Sequence, residues 1–517
     1  MSRQRFQIAV VGSGFGGSLI AMMAQRLGYS TVLLERGRHP RFAIGESSTP
    51  LANLLLEEIS VEYDLPFVRP LSKWGTWQKQ LSQLACGLKR GFTFFHHEFG
   101  KTFATDASRR NQLLVGASPN EEIADTHWYR PDFDHYLMTQ AQTLGVSYLD
   151  ELTLNSAEVK SDGMLLAGTR HGEGVEIAAE FVIDATGPRG FLHRALGLSE
   201  KTPANFPPTQ GLFSHFENVG PLPESFSSPG QPPPYPPEHA AVHHVFPGGW
   251  IWVLKFNHGI TSAGVAATDA LPNELNFKQG EPAWQRLLER LPSVAEIFRD
   301  ARATVPFVHS LRLSFQSETV TGARWAMLPS AAGFIDPLLS TGFPLTLLGV
   351  QRLGRMLKSG LSHSTLARRL DDYAAVTSLE LETAARLVGA LYANMHRFEI
   401  FKDLSLLYFV AAIFSETVRR LGKPELANGF LLCRHPSFSK SFAGICDVAS
   451  GNHSVPDAKR LSENIHEAIE PLDLAGLTDH ARHPWYPAQA ADLLRHAAKV
   501  GASETQMRAM LTRCGLS

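Results

Sequence analysis

The sequence predicts an α/β fold: a βαβ unit with a glycine-rich turn opens the chain, a β-sheet module is inserted, and helices follow. Three observations predict it. An apolar, β-branched run at residues 6–11 precedes a glycine-rich turn, and residues 18–27 and 30–34 carry the patterns of a helix and a second strand. Another buried strand is expected at residues 181–184, and helical patterning prevails from about Pro344 onward.

The remaining elements follow the same patterns. Residues 51–125 predict a mixture of short helices and strands, and residues 132–144 predict a helix. Residues 241–256 and, after a turn, 261–268 predict paired strands. Residues 325–328 predict a strand leading into Gly333.

Composition excludes several classes of partner. The net charge of -2 gives no electrostatic reason to expect nucleic acid or an anionic membrane. The longest apolar run, residues 404–414, is too short to span a bilayer and predicts a buried helix. The short, polar N-terminus and the widely spaced cysteines indicate a cytoplasmic protein without a disulfide framework or structural zinc.

No metal site is expected either. The adjacent pairs His96-His97 and His243-His244 are the candidate ligands, but neighbouring side chains on a strand point to opposite faces. Each pair is therefore a poor chelate.

The glycine-rich turn has the G-x-G-x-x-G spacing of a Rossmann-type dinucleotide site. Gly12 permits the tight turn, Gly14 lets the backbone approach a pyrophosphate, and Gly17 lets helix and strand pack closely. The helix N-terminus supplies free N–H groups to the phosphates. Glu35, at the end of the second strand, would accept hydrogen bonds from the adenosine ribose.

Two further segments resemble the group of FAD-dependent hydroxylases, reductases and halogenases. Residues 130–137, which begin with Arg130, resemble its R-x-x-F-D-x-x-L segment, and residues 184–187 (Asp184 to Gly187) resemble its D-A-T-G turn. The resemblance implies FAD as the cofactor.

One position departs from this group's pattern. The group carries G-D-A where this chain has Ser330 near the Asp position, shortly before Gly333. A hydroxyl is a weaker anchor than a carboxylate, so we expect weak FAD binding. Weak binding suits an enzyme that receives FADH2 from a separate flavin reductase.

Residues 334–342 match the F-x-x-P-x-x-S-x-G signature of flavin-dependent halogenases, with Pro337, Ser340 and Gly342 at fixed positions. A turn followed by a helix near Pro344 would expose the N–H groups of Thr341 and Gly342 to a halide ion, chloride or bromide. The alternative is an ordinary flavin-contacting turn.

Residues 86–92 contain K-x-G-F and resemble the halogenase segment that carries the catalytic lysine, which implies that role for Lys89. Hypohalous acid, made from halide, O2 and reduced flavin, must be captured beside the substrate, and an ammonium can polarise it or form a haloamine. A surface lysine is the alternative, and Lys73 is a rival whose flanks match less well.

Two more segments resemble halogenase motifs. Residues 41–50 resemble R-F-x-I-G-E-S-x-x-P, which implies that Ser47 lies against the flavin and Glu46 near the halide or Lys89. With Lys89 and Ser340, Glu46 completes the expected catalytic group. Trp250 and Trp252 keep the tryptophans of W-x-W-x-I-P, but Leu254 and Lys255 replace Ile-Pro, which puts pure halogenation in question.

The tryptophans face the same side of a strand. With Phe92 they are expected to line the substrate tunnel, although plain core packing would explain the tryptophans equally.

The resemblance covers most of residues 5–350 and implies a core of residues 1–350 followed by a helical C-terminal region, residues 351–517. The FAD module is expected at about 1–50, 125–200 and 305–350, and the substrate module at about 51–124 and 201–304.

Within the halogenases the resemblance is to the free-standing bacterial phenol and phloroglucinol enzymes, through residues 85–92 and 333–337. Tryptophan halogenases carry Glu where this chain has Leu339, which disfavours tryptophan. A small phenolic substrate is therefore expected. The residue that takes the phenolic proton is not identified by the sequence.

Other functions stay open. A flavin monooxygenase or reductase would use the same fold without halide, and a flavin-binding protein would have no activity. A halogenase could also act on a carrier-bound substrate. The proline-rich residues 221–237 predict a surface loop, a lid or a carrier contact, and the C-terminal helices predict a pocket wall or a homodimer face.

Overall fold

The chain forms a mixed α/β structure around two large sheets. The structure is a computed structural model that describes residues 2–202, 206–228, 230–361, 363–451 and 458–516.

In chain order, the strands are β1 (Ser2–Val11), β2 (Thr31–Leu34), β3 (Cys86–Lys89), β4 (Gly91–His96), β5 (Gln112–Gly116), β6 (Asp125–Trp128), β7 (Ser147–Leu149), β8 (Leu152–Val159), β9 (Met164–Arg170), β10 (Glu173–Asp184), β11 (Thr209–Glu217), β12 (Ala241–Phe246), β13 (Gly249–Lys255), β14 (Thr261–Thr268), β15 (Arg302–Ala303), β16 (Val308–Ser310), β17 (Phe315–Gln316), β18 (Thr321–Gly322), β19 (Trp325–Met327), β20 (Gly333–Phe334) and β21 (Trp485–Tyr486).

The α-helices, in the same order, are α1 (Phe15–Arg26), α2 (Pro50–Glu62), α3 (Trp74–Gln80), α4 (Arg130–Thr143), α5 (Phe191–Ala195), α6 (Ala270–Leu275), α7 (Glu281–Glu289), α8 (Pro292–Ile297), α9 (Pro329–Ala332), α10 (Gly342–Lys358), α11 (His363–Ala393), α12 (Phe398–Arg420), α13 (Phe438–Ser450), α14 (Ala458–Ile469), α15 (Ala490–Arg495) and α16 (Glu504–Arg513).

The first sheet has the strand order β18-β19-β10-β1-β2-β7, with β9 and β8 added beside the long β10. The strands from β19 to β7 are parallel, and residues 8–11 of β1 and 181–183 of β10 are buried and apolar. This is the pattern of a parallel sheet covered on both faces. The carboxyl ends of β1, β10 and β19 meet at one edge, where ligands bind in such sheets.

The second sheet has the order β15-β11-β14-β13-β12-β4-β5-β21, with β16 also paired to β11. Most neighbours are antiparallel, but β4 runs parallel to β12 and β21 runs parallel to β5. Residues 91–116, 209–268 and 302–310 supply nearly all of this sheet.

The structure corrects one sequence expectation and adds detail to two others. The strand expected at residues 241–256 is two strands, because Gly248 adopts a φ of 84° and turns the chain between β12 and β13. The helix expected near Pro344 begins at Gly342. The C-terminal region is not wholly helical, since β21 joins the second sheet beside β5.

The C-terminal helices pack on the core. Helix α10 lies against α1 and α2, and α12 lies against α2 and α14. Residues 404–414, the long apolar run, form the buried middle of α12 as predicted. None of the helices in the described ranges is long and apolar enough to cross a membrane.

Candidate active site

The glycine-rich turn between β1 and α1 leaves no room for side chains at two of its positions. Gly12 has a φ of 99°, and a Cβ there would lie 2.7 Å from the Ala185 carbonyl oxygen. A Cβ on Gly17 would lie 1.9 Å from the carbonyl oxygen of Gly12. The turn therefore packs directly on the end of β10, as the sequence predicts.

Gly14 faces two guanidinium groups instead of backbone. A Cβ on Gly14 would have Arg130 Nη2 at 3.4 Å, the Asp134 carboxylate that pairs with Arg130 at 3.7 Å and Arg41 Nη2 at 3.9 Å as neighbours. The N-terminus of α1 adds free N–H groups at the same place. Two cations beside a helix N-terminus form a cradle for an anionic group such as a pyrophosphate.

Arg130 is held in this position by Asp134, one turn further along α4. Arg130 Nε and Nη2 donate to the two Asp134 carboxylate oxygens at 2.9 and 2.7 Å, and Nη1 donates to the Gly45 carbonyl at 3.0 Å. Asp134 also accepts the Phe15 N–H at 3.1 Å. The R-x-x-F-D spacing thus ties α4 to the start of α1.

Glu35 lies at the end of β2, buried beside the glycine-rich turn. It accepts hydrogen bonds from Ser13 N at 3.0 Å, Ser13 Oγ at 2.7 Å and Gly37 N at 2.9 Å. Burial alone would raise the pKa of Glu35, but Arg41, at 3.2 Å, and these hydrogen bonds outweigh it and lower the pKa to about 2. The carboxylate is therefore charged and lies beside the glycine-rich turn.

The other expected flavin contacts differ in what they offer. Asp184 is fully buried, burial raises its pKa, and both its oxygens accept hydrogen bonds, from Thr186 N at 2.9 Å and Leu192 N at 2.6 Å. It therefore shapes the turn around Gly187, which has a φ of 82° and open space at its Cβ position. Ser330 is half-buried on α9, and Gly333 packs against Leu381.

The turn before α10 contains two residues with left-handed backbone. Leu339 has a φ of 62° and Ser340 a φ of 54°, backbone angles that residues other than glycine rarely adopt. Such strain is concentrated at functional sites, and it leads the chain into Thr341 and the N-terminus of α10. Space in front of Gly342 is open, because a Cβ there would meet nothing within 4 Å.

Aromatic rings join this turn to the glycine-rich turn. Phe343, at the start of α10, stacks on Trp128 at 4.2 Å and meets Phe15 edge-on at 5.0 Å between ring centroids. A Cβ on Gly45 would lie 4.0 Å from Phe343. Phe343 therefore brings together three segments: the turn at residues 337–342, the segment that begins at Gly45, and the start of α1.

Below the turn lies a buried carboxyl group that the sequence analysis did not single out. Asp336 accepts hydrogen bonds from Tyr392 at 2.9 Å, Trp250 Nε1 at 3.2 Å and Leu338 N at 3.0 Å. Burial raises its pKa to about 7 against the effect of these bonds. Trp250 is thus hydrogen-bonded to Asp336, just before the turn. Trp252 has a different partner, because its Nε1 donates to Ser262 Oγ at 3.3 Å. Both tryptophans are buried.

Glu46 has a partner that the sequence did not reveal. The Glu46 Oε1 atom lies 2.8 Å from His215 Nε2, and Oε2 has no partner among the described residues. The contacts of Lys89 come instead from the next two residues, Ser47 and Ser48. Glu46 and Lys89 thus flank the same segment through different partners.

Lys89 is fully buried, and so it is not the surface lysine that the sequence left as an alternative. Its Nζ donates to Ser47 Oγ at 2.9 Å and to the Ser48 carbonyl, and it lies 3.8 Å from the centroid of the Phe92 ring. Burial lowers the pKa of Lys89, and the opposite charge of Asp125 counteracts part of that shift.

Three chain segments hold the lysine in register. β3 pairs antiparallel with β6, which places Lys89 directly opposite Asp125. Ser47 forms a further bridge with His127 on β6, and Trp128 N donates to the Glu46 carbonyl at 2.6 Å. The ammonium group therefore lies between the 46–48 segment and the Asp125 side of β6.

A cavity of about 150 Å³ opens beyond Lys89. Asn53, Phe92 and Asp125 contribute to its wall on the lysine side, and α12 and α16 close it from the C-terminal region. Lys73, the rival lysine, also lines this cavity and is half-buried at the start of α3. The C-terminal helices are therefore a wall of the pocket, one of the two roles expected for them.

Comparisons with known proteins match the chain to one family of enzymes. The family described as tryptophan halogenase matches residues 126–401. The tetracycline 7-halogenase of Kitasatospora aureofaciens is 26% identical over 421 residues, 79% of this chain and 73% of the relative. The monodechloroaminopyrrolnitrin halogenase of Pseudomonas fluorescens is 26% identical over 419 residues, 80% of this chain and 72% of the relative.

Solved structures show the same fold. Halogenase PltM, crystallised with phloroglucinol and FAD, superposes with a TM-score of 0.82 at 22% identity, over 93% of this chain and 99% of that one. The flavin-dependent brominase Bmp2 superposes with a TM-score of 0.60 at 16% identity, over 90% of this chain and 99% of that one.

Proposed function

The chain belongs to the tryptophan halogenase family and is a flavin-dependent halogenase, and we propose that it transfers chlorine or bromine to a small phenolic ring through Lys89. The observation that carries the proposal is the position of the Lys89 ammonium, which is fully buried between the 46–48 segment and Phe92, a residue of the cavity wall. A phenol is supported by the size of that cavity and by the phloroglucinol bound to halogenase PltM.

The residues at the edge of the first sheet fit the FAD that this family uses. Gly14 with Arg41 and Arg130 would hold the pyrophosphate, and Glu35 would hold the ribose. Ser47, Gly187, Ser330, Gly333 and Pro337 would lie along the rest of the cofactor. Reduced FAD and O2 supply the oxidising equivalent that turns a halide into hypohalous acid, and a separate flavin reductase would deliver the FADH2.

The turn at residues 337–342 would hold the halide. The N–H groups of Thr341 and Gly342 lie at the N-terminus of a 17-residue helix, where partial positive charge favours an anion. The left-handed Leu339 and Ser340 direct the chain so that this end faces open space. Ser340 and Glu46 would complete the polar surroundings of the halide.

Lys89 would hold the hypohalous acid at the cavity. Two of its three N–H donors are used by Ser47 and Ser48, which fixes the ammonium and leaves the third donor for the oxidant. Such a donor in a buried site stabilises charge that develops on the departing oxygen. The closed wall made by α12 and α16 would keep the oxidant from diffusing into water.

The test uses purified protein with FAD, a flavin reductase, NADH and resorcinol, with and without bromide, and mass spectrometry of the product. We expect a bromide-dependent mass shift with the two-isotope pattern of bromine, absent when the reductase is left out. Oxygen insertion that ignores bromide would contradict the proposal and favour a monooxygenase, the activity that Leu254 and Lys255 leave open. A product formed only from a carrier-bound thioester would contradict the free phenol.

A further inference from the structure

Two buried oxygen atoms on the cavity wall have no hydrogen-bond partner. Asn53 Nδ2 donates to Asp125 Oδ1 at 2.7 Å, which leaves Asp125 Oδ2 and Asn53 Oδ1 unpaired among the described residues. This contact fixes the orientation of the Asn53 side-chain amide. If the amide were turned over, Asn53 Oδ1 would lie against Asp125 Oδ1 without a hydrogen between them. Asp125 is 6% exposed and Asn53 2% exposed. A buried acceptor without a donor is costly, so each atom points to a donor supplied by a ligand.

The nearest cation does not satisfy the carboxylate. Lys89 lies directly across the strand pair from Asp125, but its ammonium donates to Ser47 and Ser48, and no salt bridge joins it to Asp125 in the described part of the chain. Arg420 is paired with Glu416 and Glu57. Asp125 Oδ2 therefore keeps an unused acceptor position on a residue that lines the cavity.

The rest of the cavity suits one aromatic ring. Its volume of about 150 Å³ matches that of an engineered apolar cavity that binds benzene. Apolar side chains form most of its wall, among them Phe92, Phe409, Ile413 and Leu511. The acceptor pair lies with Phe92 on the side nearest Lys89.

We propose that Asp125 is a catalytic base and that Asn53 is its companion acceptor, so that the two select a single-ring substrate with two hydrogen-bond donors, such as a dihydroxybenzene. This inference deepens the proposed function and rests on it. Asp125 Oδ2 accepts one ring hydroxyl, and Asn53 Oδ1 accepts the second. The ring carbon beside the first hydroxyl then faces Lys89.

The transfer balances with hypohalous acid as the oxidant. The ring carbon forms a bond to the halogen as the halogen–oxygen bond breaks, and the leaving hydroxide takes a proton from the Lys89 ammonium and becomes water. Asp125 takes the hydroxyl proton, which leaves a neutral dienone. Loss of the ring C–H proton restores the lysine, and Asp125 returns its proton to the oxygen. The products are the halophenol and one water.

Neighbouring charges set how Asp125 titrates. Burial raises its pKa, the Lys89 charge lowers it, Glu416 raises it, and the hydrogen bond from Asn53 and the charge of Arg420 lower it. A carboxylate whose pKa is raised accepts a proton from a phenol more readily than an exposed one does. The direction of the shift supports the role that the geometry indicates.

The test measures binding and turnover separately. Titration calorimetry on the FAD-loaded enzyme, without reductant, compares resorcinol with 1,3-dimethoxybenzene, which has the same ring pattern and no donors. Asp125→Asn should weaken resorcinol at least about tenfold and leave dimethoxybenzene unchanged, because one charge-assisted hydrogen bond is lost. Asp403→Asn, the same change at a buried aspartate of α12, is the matched control and should alter neither.

Turnover distinguishes a base from a mere binding group. With resorcinol, Asp125→Asn should lower kcat at least about tenfold as well as raise KM, whereas the rate with dimethoxybenzene should not change. If Asp125→Asn does not fold, Asn53→Leu takes its place in the test. This variant should bind and halogenate resorcinol no better than phenol. Resorcinol bound and halogenated equally by Asp125→Asn and wild type would overturn the inference and leave the function standing. Selective binding without any halogenated product would overturn the function and leave the acceptor pair standing.

Discussion

Replacing Lys89 by methionine tests the centre of the proposed reaction, and Lys73→Met is its matched control. Lys73 lines the cavity, whereas Lys89 is fully buried against Phe92 of the cavity wall and is fixed by Ser47 and Ser48. Methionine keeps an unbranched apolar chain of similar length and removes the charge. The two variants therefore make the same chemical change at two lysines near one cavity, of which Lys89 alone is held by Ser47 and Ser48.

The size of the effect follows from what the ammonium does. One charged donor that stabilises a departing oxygen in a buried site is worth about 3–4 kcal/mol, so Lys89→Met should lower kcat by about 10²–10³-fold. Stability should change far less, by about 1–2 kcal/mol. Two hydrogen bonds of about 1 kcal/mol each are lost, but a buried charge no longer has to be desolvated.

The assay is bromide-dependent product formation under saturating resorcinol, with thermal unfolding and the absorbance of bound FAD measured beside it. We expect Lys89→Met to keep its fold and its FAD and lose its product, while Lys73→Met stays within about threefold of wild type. Normal turnover by Lys89→Met, or its loss in Lys73→Met alone, would refute the assignment of the relay to Lys89.

Two further predictions concern the cofactor edge of the first sheet. Glu35→Gln should destabilise the protein by about 3 kcal/mol at pH 7, measured by denaturant unfolding, because the pKa falls from 4.5 to about 2 on folding. Because the pKa of Glu35 is lower in the folded protein, the stability difference between wild type and Glu35→Gln should be complete above about pH 4.5 and shrink as the pH falls toward 2. A stability difference that does not change with pH would contradict the pairing with Arg41. Gly17→Ala should lower the free energy of unfolding by about 3 kcal/mol or prevent folding, because the added Cβ would lie 1.9 Å from the Gly12 carbonyl oxygen. Gly444→Ala in α13 is its control, since a Cβ there would meet nothing within 4 Å, and it should be neutral or stabilising in the same unfolding measurement.

The sequence predicted those parts of the site in which neighbouring residues act together. The glycine-rich turn and the turn at residues 337–342 each lie within a few residues of chain, so backbone geometry and spacing specify them. The parallel sheet followed for the same reason, from short apolar runs at the expected distances.

Contacts between distant segments could not be predicted in this way. Glu46 and His215 are 169 residues apart, Asn53 and Asp125 are 72 apart, and Asp336 and Tyr392 are 56 apart. A buried acceptor without a partner leaves no pattern in a single sequence, because burial depends on the packed neighbours. The addition of β21 to the second sheet is a contact of this long-range kind too.

One short stretch, residues 125–134, connects the parts of the site. Asp125 opens β6 and faces Lys89, His127 and Trp128 bind the 46–48 segment, and Asp134 accepts the first N–H of α1. A strand that ends directly in a helix has little freedom to change the distance between its two ends. The cofactor cradle, the lysine and the acceptor pair are therefore fixed relative to one another by backbone. The relay proposed for Lys89 needs this rigidity, because the oxidant and the substrate ring would have to meet within about 3 Å.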